Sequence, residues 1–282
     1  MVPRSMGRLW WEARVFGTRL RLHAKYALLS PFYYRNPLAM FTVNARRSPT
    51  ILRMRDGTLM KARPGTSDRA AINEIFVQSP YTADERFQLH REDVVVDAGA
   101  NIGAFTVFAA RRCKRVLAIE PLPGNFQMLR ENIRLNQLDN VAVVEAALAA
   151  EAGELNMHGD GVSASTFWGT GSQRVPSITL ESCLTAHAID RTDLLKMDIE
   201  GGEFDVLMNC PAGVLGRIRR IALEVHPPRS GYERYGRTSP FSSGCRIRGL
   251  AHCRRLECLI DCVALTCALK QGTDGIFRRT YD

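Results

Sequence analysis

The spacing of apolar residues in the first third of the chain predicts a helix, a hairpin and a second helix. Between residues 6 and 28 apolar side chains recur every three or four positions, which is typical of an amphipathic helix. Residues 50–61 alternate around Arg-Asp-Gly at 55–57, which predicts two strands joined by a tight turn. Residues 68–77 follow as a short helix.

From residue 93 the pattern changes to strands and helices in alternation, which predicts an α/β fold with a doubly wound, mostly parallel sheet. Apolar runs predict strands at Val94–Val96, Arg115–Glu120, Val141–Val144, Leu194–Met197 and Ile218–Val225. Helices are expected at Phe105–Arg112, Gly124–Asn136, Leu180–Ala188 and Phe204–Asn209. Residues 153–178 show only short β-like pieces with Gly and Ser. The chain is therefore divided into an N-terminal extension over 1–47, a lead-in over 48–92 and a main domain over 93–282.

The net charge of +9 is unevenly distributed along the chain. Residues 1–47 hold nine Lys or Arg and one acid, residues 48–210 are acidic overall, and residues 211–282 are again basic. Basic flanks suit an anionic membrane surface, a polyanion or an acidic substrate, and they also occur as plain solvated surface. A basic amphipathic helix over 6–28 indicates peripheral membrane contact, the alternative being packing on its own domain or on a partner subunit.

No apolar run is long enough to span a bilayer, and the first 30 residues lack the apolar stretch of a secretory signal. We therefore expect a cytoplasmic protein, with peripheral contact at the inner membrane face. The eight cysteines form no zinc pattern and are interpreted as reduced apolar residues. No metal site is predicted, although Asp198, Glu224 and His226 would be an acceptable ligand set.

The junction after the first buried strand reads Asp97-Ala98-Gly99-Ala100-Asn101-Ile102-Gly103. Small residues let a ligand approach the backbone closely, and the helix that follows offers free N–H groups. Glu120 ends the next strand, about 20 residues on, where a carboxylate suits the two hydroxyls of a ribose. Strand, loop, helix, strand and terminal acid in this order predict a nucleoside site.

The glycines at this junction do not match the Gly-x-Gly-x-x-Gly pattern of dinucleotide-binding loops, because Asn101 and Ala104 occupy two of its positions. The carboxylate of Asp97 would repel a pyrophosphate but would attract the ammonium and sulfonium groups of S-adenosylmethionine. The third strand ends beside the expected adenine position, where Glu145 or a backbone N–H near Ala146 would bind the ring edge. A solvent-facing Glu145 is the alternative.

A second charged segment follows the fourth strand and reads Lys196-Met197-Asp198-Ile199-Glu200-Gly201-Gly202-Glu203. Ligands bind beyond the carboxyl ends of strands in open α/β sheets, so these acids are expected at the mouth of the cleft. Crowded carboxylates raise one another's pKa, which suits a general base. The fifth strand ends in Glu224-Val225-His226, which adds an imidazole.

These motifs together resemble the FkbM-type S-adenosylmethionine-dependent methyltransferases, from about Thr50 to His226. The resemblance rests on DAGANIG at 97–103, IEP at 119–121, KMDIEGGEFDVL at 196–207 and LEVH at 223–226. It implies a Rossmann-like class I methyltransferase that methylates hydroxyls of sugars, glycans or natural products. It also implies a closing helix at 249–256 and a hairpin of strands at 259–269 and 276–280. The predicted cofactor-binding residues are Asp97, Gly99, Ala100, Asn101, Gly103, Glu120, Pro121, Glu145 and Ala146.

The mechanism expected is in-line attack of a substrate hydroxyl on the sulfonium methyl, aided by a base. His226 is the first candidate for that base, Asp198 and Glu200 compete with it, and Lys196 is either a further catalytic residue or a plain sheet residue. The alternatives are a nicotinamide-dependent oxidoreductase, which would need a hydride-transfer constellation, and a non-catalytic membrane-associated adaptor. Nucleic acid is not the expected substrate, because no base-handling loop follows the fourth strand.

Overall fold

A computed structural model describes residues 28–78, 87–158 and 172–225, together with the backbone of 256–261. The chain divides into two compact units, Met1–Val77 and Gln78–Asp282. The helix predicted over 6–28 lies outside the described residues, apart from Leu28. Among the described residues, no helix has the length and apolarity needed to cross a bilayer.

The N-terminal unit is built around the predicted hairpin. Strands β1 (Thr50–Arg53) and β2 (Leu59–Ala62) pair antiparallel. In the turn between them Gly57 has a φ of 88°, and the Thr58 N–H donates to Asp56 Oδ1 at 2.9 Å. The elements of this unit are a helical stretch at 28–33, α1 (Pro37–Thr42), a 3-10 turn (Val43–Ala45), β1 (Thr50–Arg53), β2 (Leu59–Ala62), and α2 (Asp68–Asn73), which continues as a π turn (Glu74–Gln78). The alternation of residues 50–61 is thus a hairpin, as predicted.

The larger unit contains a six-stranded sheet of the predicted class. Its strands are β3 (Val94–Ala98), β4 (Arg115–Ile119), β5 (Val141–Val144), β9 (Leu194–Met197), β10 (Arg220–Val225) and β11 (Leu256–Asp261). They lie in the order β11-β10-β9-β3-β4-β5, and every pair is parallel except β10 with β11. Strands β3, β4, β9 and β10 are largely apolar runs, and most of their side chains are buried.

The helices of this unit are α3 (Ala104–Ala110), α4 (Pro123–Leu135), α5 (Leu180–Ala186), α6 (Glu203–Asn209) and α7 (Ala212–Leu215). Leu117 packs in one buried cluster with residues of α5, α6 and α7, whereas Ala118 packs in another with residues of α4. Successive residues of a strand point to opposite faces. The two faces of the sheet are therefore covered by different helices, which is the doubly wound arrangement.

A second, three-stranded sheet lies in the segment that the sequence marked only as short β-like pieces. It consists of β6 (Ala147–Leu148), β7 (Gly153–His158) and β8 (Ser172–Ile178), in the order β6-β8-β7. Leu122, which follows β4, packs in a small apolar cluster with Met157 and Val175 of this sheet.

The closing elements differ from the prediction. Leu256 begins a strand rather than ending a helix, and β11 starts three residues before the predicted strand start. Its six residues pair with all of β10, which would otherwise be an edge strand with unpaired backbone groups. Tertiary pairing thus decides this element rather than local spacing. Residues 249–255 and 262–282, which carry the rest of the predicted helix and hairpin, lie outside the described part of the chain.

Candidate functional site

The site lies where the chain reverses direction across the sheet. Strands β3 and β9 are neighbours, but the chain passes from β3 to β4 and β5 on one side and from β9 to β10 on the other. The loops after β3 and β9 meet at this point, because the Asp198 N–H donates to the Ala98 carbonyl at 3.0 Å. Such a reversal opens a crevice at the carboxyl ends of the strands, which is the usual ligand site of this architecture.

The loop after β3 is held in a conformation that its glycines permit. Gly99 has a φ of 77° and Gly103 a φ of 85°, and Asn101 between them has a φ of 52°. A β-carbon on Gly103 would lie 2.6 Å from Leu129 Cδ1 of α4. Asn132 of α4 donates its side-chain amide to the Ile102 carbonyl at 2.8 Å and is fully buried. The helix therefore fixes the shape of the loop from behind.

Glu120 ties the first loop to the end of β4. Its carboxylate accepts the Asn101 N–H at 2.8 Å, the Leu122 N–H at 3.0 Å and the Asn125 amide at 3.4 Å. The side chain is buried, and burial raises its pKa to about 7 despite these donors. A carboxylate in this setting is positioned by the backbone and faces the cavity described below.

Beneath the loop lies a buried ion cluster centred on Lys196. The Lys196 ammonium donates to the Gly99 carbonyl at 2.8 Å and lies 3.2 Å from Asp97 Oδ1 and 3.7 Å from Asp198 Oδ2. The other oxygen of Asp97 accepts the Thr106 hydroxyl at 2.6 Å. Burial alone would lower the pKa of Lys196, but the carboxylates of Asp97, Asp198 and Glu224 outweigh it and the pKa is raised. The raised pKa favours the ammonium form, in which Lys196 holds the Gly99 carbonyl.

The loop after β9 is shaped by a side chain that looks catalytic in the sequence. Glu203 is fully buried and accepts the N–H groups of Ile199 at 3.2 Å and of Gly201 at 3.0 and 3.1 Å. These bonds hold Glu200 at a φ of 55°, an uncommon value for a residue with a side chain. Such strain persists only where the surroundings enforce it, which is frequent at functional sites.

A cavity of about 480 Å³ opens above these loops, within the size range of small-molecule sites. Its floor is Gly99, Asn101, Ile119 and Glu120, and one wall is formed by Ala147–Leu155 of the three-stranded sheet. Six acids line it, namely Glu120, Glu151, Glu154, Asp198, Glu200 and Asp205, and among the lining residues that the structure describes there is no Lys, Arg or His. The lining thus favours a cationic ligand over a phosphate chain.

The predicted site residues fall into three groups in the structure. Gly99, Asn101, Glu120, Pro121, Asp198 and Glu200 line the cavity. Asp97, Ala100, Gly103 and Lys196 support the loops from below or behind. Asp97 is a predicted cofactor-binding residue, but it is fully buried, and its two oxygens face the Thr106 hydroxyl and the Lys196 ammonium. It does not line the cavity, whereas Glu120, Asp198 and Glu200 do.

Two further predicted positions, Glu145 and Ala146, are displaced from the cavity. Glu145 is exposed and lines a shallow depression with Phe126 and Arg130 of α4 rather than the cavity. Ala146 is buried and does not line the cavity, whereas the alanines at 147, 149, 150 and 152 do. His226 lies outside the described residues.

Several residues that shape the site were not predicted from the sequence. Thr106, Asn132 and the supporting role of Glu203 are visible only through their partners, which lie 9, 30 and 2 to 4 positions away. The asparagines of the helix at 125–136 are the feature of the sequence that points to one of them, Asn132, because it donates its side-chain amide to the Ile102 carbonyl of the loop after β3. Within 28–78, 87–158 and 172–225, no cluster of three or more His, Cys, Asp or Glu side chains is placed to hold a metal ion.

The chain matches the family described as "Methyltransferase FkbM domain" over residues 97–241, just over half its length. It is 29% identical to the AMB antimetabolite synthetase AmbE of Pseudomonas aeruginosa, over 67% of this chain and 11% of that protein. It is 24% identical to the hexuronic acid methyltransferase AglP of Haloferax volcanii, over 49% of this chain and 58% of that protein.

Among solved structures, the FkbM methyltransferase of Methylobacillus flagellatus aligns with a TM-score of 0.40 at 16% identity, over 67% of this chain and 48% of that one. In each of these three comparisons the match spans less than two thirds of the other protein. The family match confirms the resemblance inferred from the motifs, and S-adenosylmethionine is the methyl donor that goes with it. The chain belongs to the FkbM methyltransferase family.

Proposed function

We propose that this protein transfers a methyl group from S-adenosylmethionine to a hydroxyl of a sugar, a glycan or a natural product. The observation that carries the proposal is the acidic cavity at the reversal point of the sheet, between the loops after β3 and β9. An oxidoreductase would bind the pyrophosphate of its cofactor here. The described lining contains six carboxylates and no Lys, Arg or His, which opposes that; of the six, Asp198 and Glu154 have a cation beside them, Lys196 and Arg174 respectively.

The residues present fit the proposed cofactor. Asn101 lines the cavity, and its buried Oδ1 has no hydrogen-bond partner, which leaves an acceptor for a ligand donor. Glu120 is the acceptor for ribose hydroxyls, and Ile119, Leu122, Leu148 and the alanines around it supply an apolar wall for an aromatic ring. When bound, S-adenosylmethionine supplies an electrophilic methyl group on a sulfonium.

The base that takes the proton of the acceptor hydroxyl is proposed to be Asp198 or Glu200, because both line the cavity beside the first loop. His226, at the end of the neighbouring strand in sequence, remains a third candidate. A positioned base contributes about 10² to 10⁴ in rate. Lys196 is assigned a positioning role: it holds the Gly99 carbonyl and lies between the carboxylates of Asp97 and Asp198, whose mutual repulsion its charge reduces.

The acceptor class is supported by the relatives only in outline. AglP is described as acting on a hexuronic acid and AmbE as a synthetase of an antimetabolite. Both descriptions belong to those proteins. For this chain they make hydroxylated sugars and small natural products the first compounds to assay.

The test has two stages. Calorimetric titration with S-adenosylmethionine, S-adenosylhomocysteine and a nicotinamide dinucleotide is expected to show binding of the first two alone. Release of S-adenosylhomocysteine is then measured with panels of sugars, glycans and natural products. Binding of the dinucleotide instead, or a folded protein that binds none of the three, would refute the proposal. Binding without transfer to any acceptor across the panels would favour the non-catalytic adaptor.

Candidate bases are separated by single variants measured with the acceptor that the panels identify. Asp198→Asn, Glu200→Gln and His226→Ala are compared with Asp139→Asn, an exposed acid outside the cavity. The variant that lacks the base is expected to bind S-adenosylmethionine normally and to lose about 10² to 10⁴ in turnover. Wild-type turnover in all three would contradict the assignment.

A further inference from the structure

Large exposed apolar side chains are concentrated in one short stretch of the N-terminal unit. Of the six found among the described residues, five lie between 28 and 41. They are Leu28, Phe32, Tyr33, Leu38 and Phe41, exposed by 73%, 72%, 37%, 79% and 36%, and the sixth is Met208 of the larger unit. Single exposed apolar residues are ordinary, whereas a cluster marks an interaction surface. We call these five residues the N-terminal apolar surface.

The backbone beneath this surface is anchored, so the exposure is not that of a loose tail. The Tyr34 hydroxyl donates to Asn73 Oδ1 of α2 at 2.6 Å, and both side chains are buried. The side chain of Asn36 bonds the Ile51 carbonyl of β1 at 2.9 Å. Met40 of α1 is also buried. The stretch is therefore part of the folded unit and presents its apolar side chains outward.

The spacing of the exposed residues groups them on helical faces. Leu28 and Phe32 are four positions apart in the helical stretch 28–33, and Leu38 and Phe41 are three apart in α1. Side chains at these separations lie on the same side of a helix. Each short helix thus presents one pair of apolar side chains.

The segment that carries the surface is strongly basic, and its nearest acids in the sequence are Glu12 and the exposed Asp56. From residue 13 to residue 55 the sequence contains nine Lys or Arg and no Asp or Glu. Arg35, Arg46 and Arg47 are exposed within the described part of this segment. Basic side chains near an anionic leaflet each strengthen attachment by about fivefold, and exposed aromatic and aliphatic groups enter the headgroup region.

We propose that the N-terminal apolar surface docks on an anionic lipid bilayer. Charge decides between the occupants: a second copy of the chain would bring two acid-free basic segments together, whereas anionic headgroups complement them. Burial of Phe32 and Leu38 removes apolar area from water, and the arginines pair with phosphates. The proposal does not depend on the acceptor that the enzyme methylates.

The test is co-flotation of the full chain with vesicles of phosphatidylcholine alone or mixed with phosphatidylglycerol. Binding is expected only with the mixed vesicles and is expected to fall as salt rises. Phe32→Gln with Leu38→Gln should weaken it by about tenfold or more, because both side chains are largely exposed in the free protein and would lose their lipid contact. Arg46→Gln with Arg47→Gln should weaken it by roughly twentyfold.

The matched controls remove the same kinds of group elsewhere. Met208→Gln deletes an exposed apolar side chain, and Arg134→Gln deletes an exposed cation, both in the larger unit. Neither should change flotation, and circular dichroism checks that every variant is folded. Failure of the wild-type chain to float with the mixed vesicles would overturn the proposal. So would equal loss in the controls, or a salt-insensitive dimer in sedimentation velocity that Phe32→Gln with Leu38→Gln dissociates.

Discussion

The carbonyl oxygen of Asp198 lies 1.7 Å from the point that a β-carbon on Gly99 would occupy. The two residues directly follow the neighbouring strands β3 and β9, so the loops after these strands touch backbone to backbone at the reversal point of the sheet. Only a residue without a side chain permits this approach. The floor of the cavity therefore depends on Gly99. The same contact links the loop after β3 to the loop after β9, which carries the proposed bases Asp198 and Glu200.

Replacement of Gly99 tests this contact. Gly99→Ala is expected to lower the free energy of unfolding by more than about 3 kcal/mol and to abolish S-adenosylmethionine binding, because the loops must separate. Gly65→Ala is the matched control: Gly65 also has a positive φ, 71°, but has nothing within 4 Å of its added β-carbon. That change should cost about 1 kcal/mol and leave binding unchanged. Chemical denaturation and calorimetry measure both, and equal losses in the two variants would contradict the steric explanation.

Lys196 and Arg220 allow a comparison of two buried ion pairs at opposite ends of the sheet. Arg220 lies 2.7 Å from Asp93 Oδ2 and also bonds the carbonyls of Gln88 and Asp193, near the start of β3. Lys196→Met and Arg220→Met should each cost about 3–5 kcal/mol, since each leaves a buried carboxylate unpaired. Only Lys196→Met is expected to weaken S-adenosylmethionine binding as well, because it alone releases the Gly99 carbonyl.

The measurement for this pair is denaturant unfolding followed by calorimetry at a temperature where both variants are folded. Retention of normal affinity in folded Lys196→Met protein would show that the lysine is only structural. Loss of affinity in Arg220→Met would show that binding follows stability in general rather than the position of Lys196.

Glu120 is expected to make cofactor binding depend on pH. Burial raises its pKa to about 7, so the carboxyl carries a proton below that pH in the free protein. If the ionised form accepts the ribose hydroxyls, affinity falls by up to about tenfold for each pH unit below 7. Glu120→Gln should bind about tenfold or more weakly at pH 8 and lose this dependence. Glu145→Gln, an exposed acid outside the cavity, should behave as wild type; a pH-independent wild type would contradict the prediction.

Glu120 also makes the stability of the protein depend on pH. The direction of this dependence is opposite to that of an acid whose pKa is lowered by an ion pair. The pKa of Glu120 in the folded protein lies above the ordinary value of 4.5. The folded state therefore holds the proton more tightly than the unfolded state does. The contribution of Glu120 to the free energy of unfolding is full below pH 4.5 and is lost as the pH rises through 7. Glu120→Gln is expected to remove that slope from the unfolding free energy between pH 5 and 8, as denaturation at several pH values would show.

Thr106 and Thr192 form a matched pair for the value of one buried hydrogen bond. Both side chains are buried, but the Thr106 hydroxyl donates to Asp97 Oδ2, whereas Thr192 Oγ1 has no partner. Thr106→Val should cost about 1.5–3 kcal/mol because it removes a bond to a charged acceptor. Thr192→Val should be neutral or stabilising. Thermal unfolding compares the two, and equal destabilisation would mean that the Asp97 bond contributes nothing specific.

Local pattern was enough to predict strands β3, β4, β5, β9 and β10 and helices α3 to α6 to within about two residues, together with the Asp56-Gly57 hairpin. It did not predict α7, and it placed the start of β11 three residues late. These elements are set by apolar spacing and turn chemistry, which are properties of neighbouring residues. The motifs also located the loops after β3 and β9 and the acid at 120. The three-stranded sheet around 147–178 was predicted only as short β-like pieces, because β8 pairs with β6 and β7 across intervening residues and local spacing does not show such pairing.

The sequence by itself determined which segments form the main sheet and which family the chain belongs to, and it located the loops after β3 and β9. Only the tertiary structure decided which residues of these loops line the cavity. Asp97 and Lys196 lie within strands β3 and β9, beneath the loops, and form an ion pair. Glu203, which the sequence places among the acids of the cleft, instead accepts the N–H groups of Ile199 and Gly201. The physical reason is that the sequence gives the type of a charged residue but not the partners of its side chain. Its role depends on which groups the fold brings within hydrogen-bond distance.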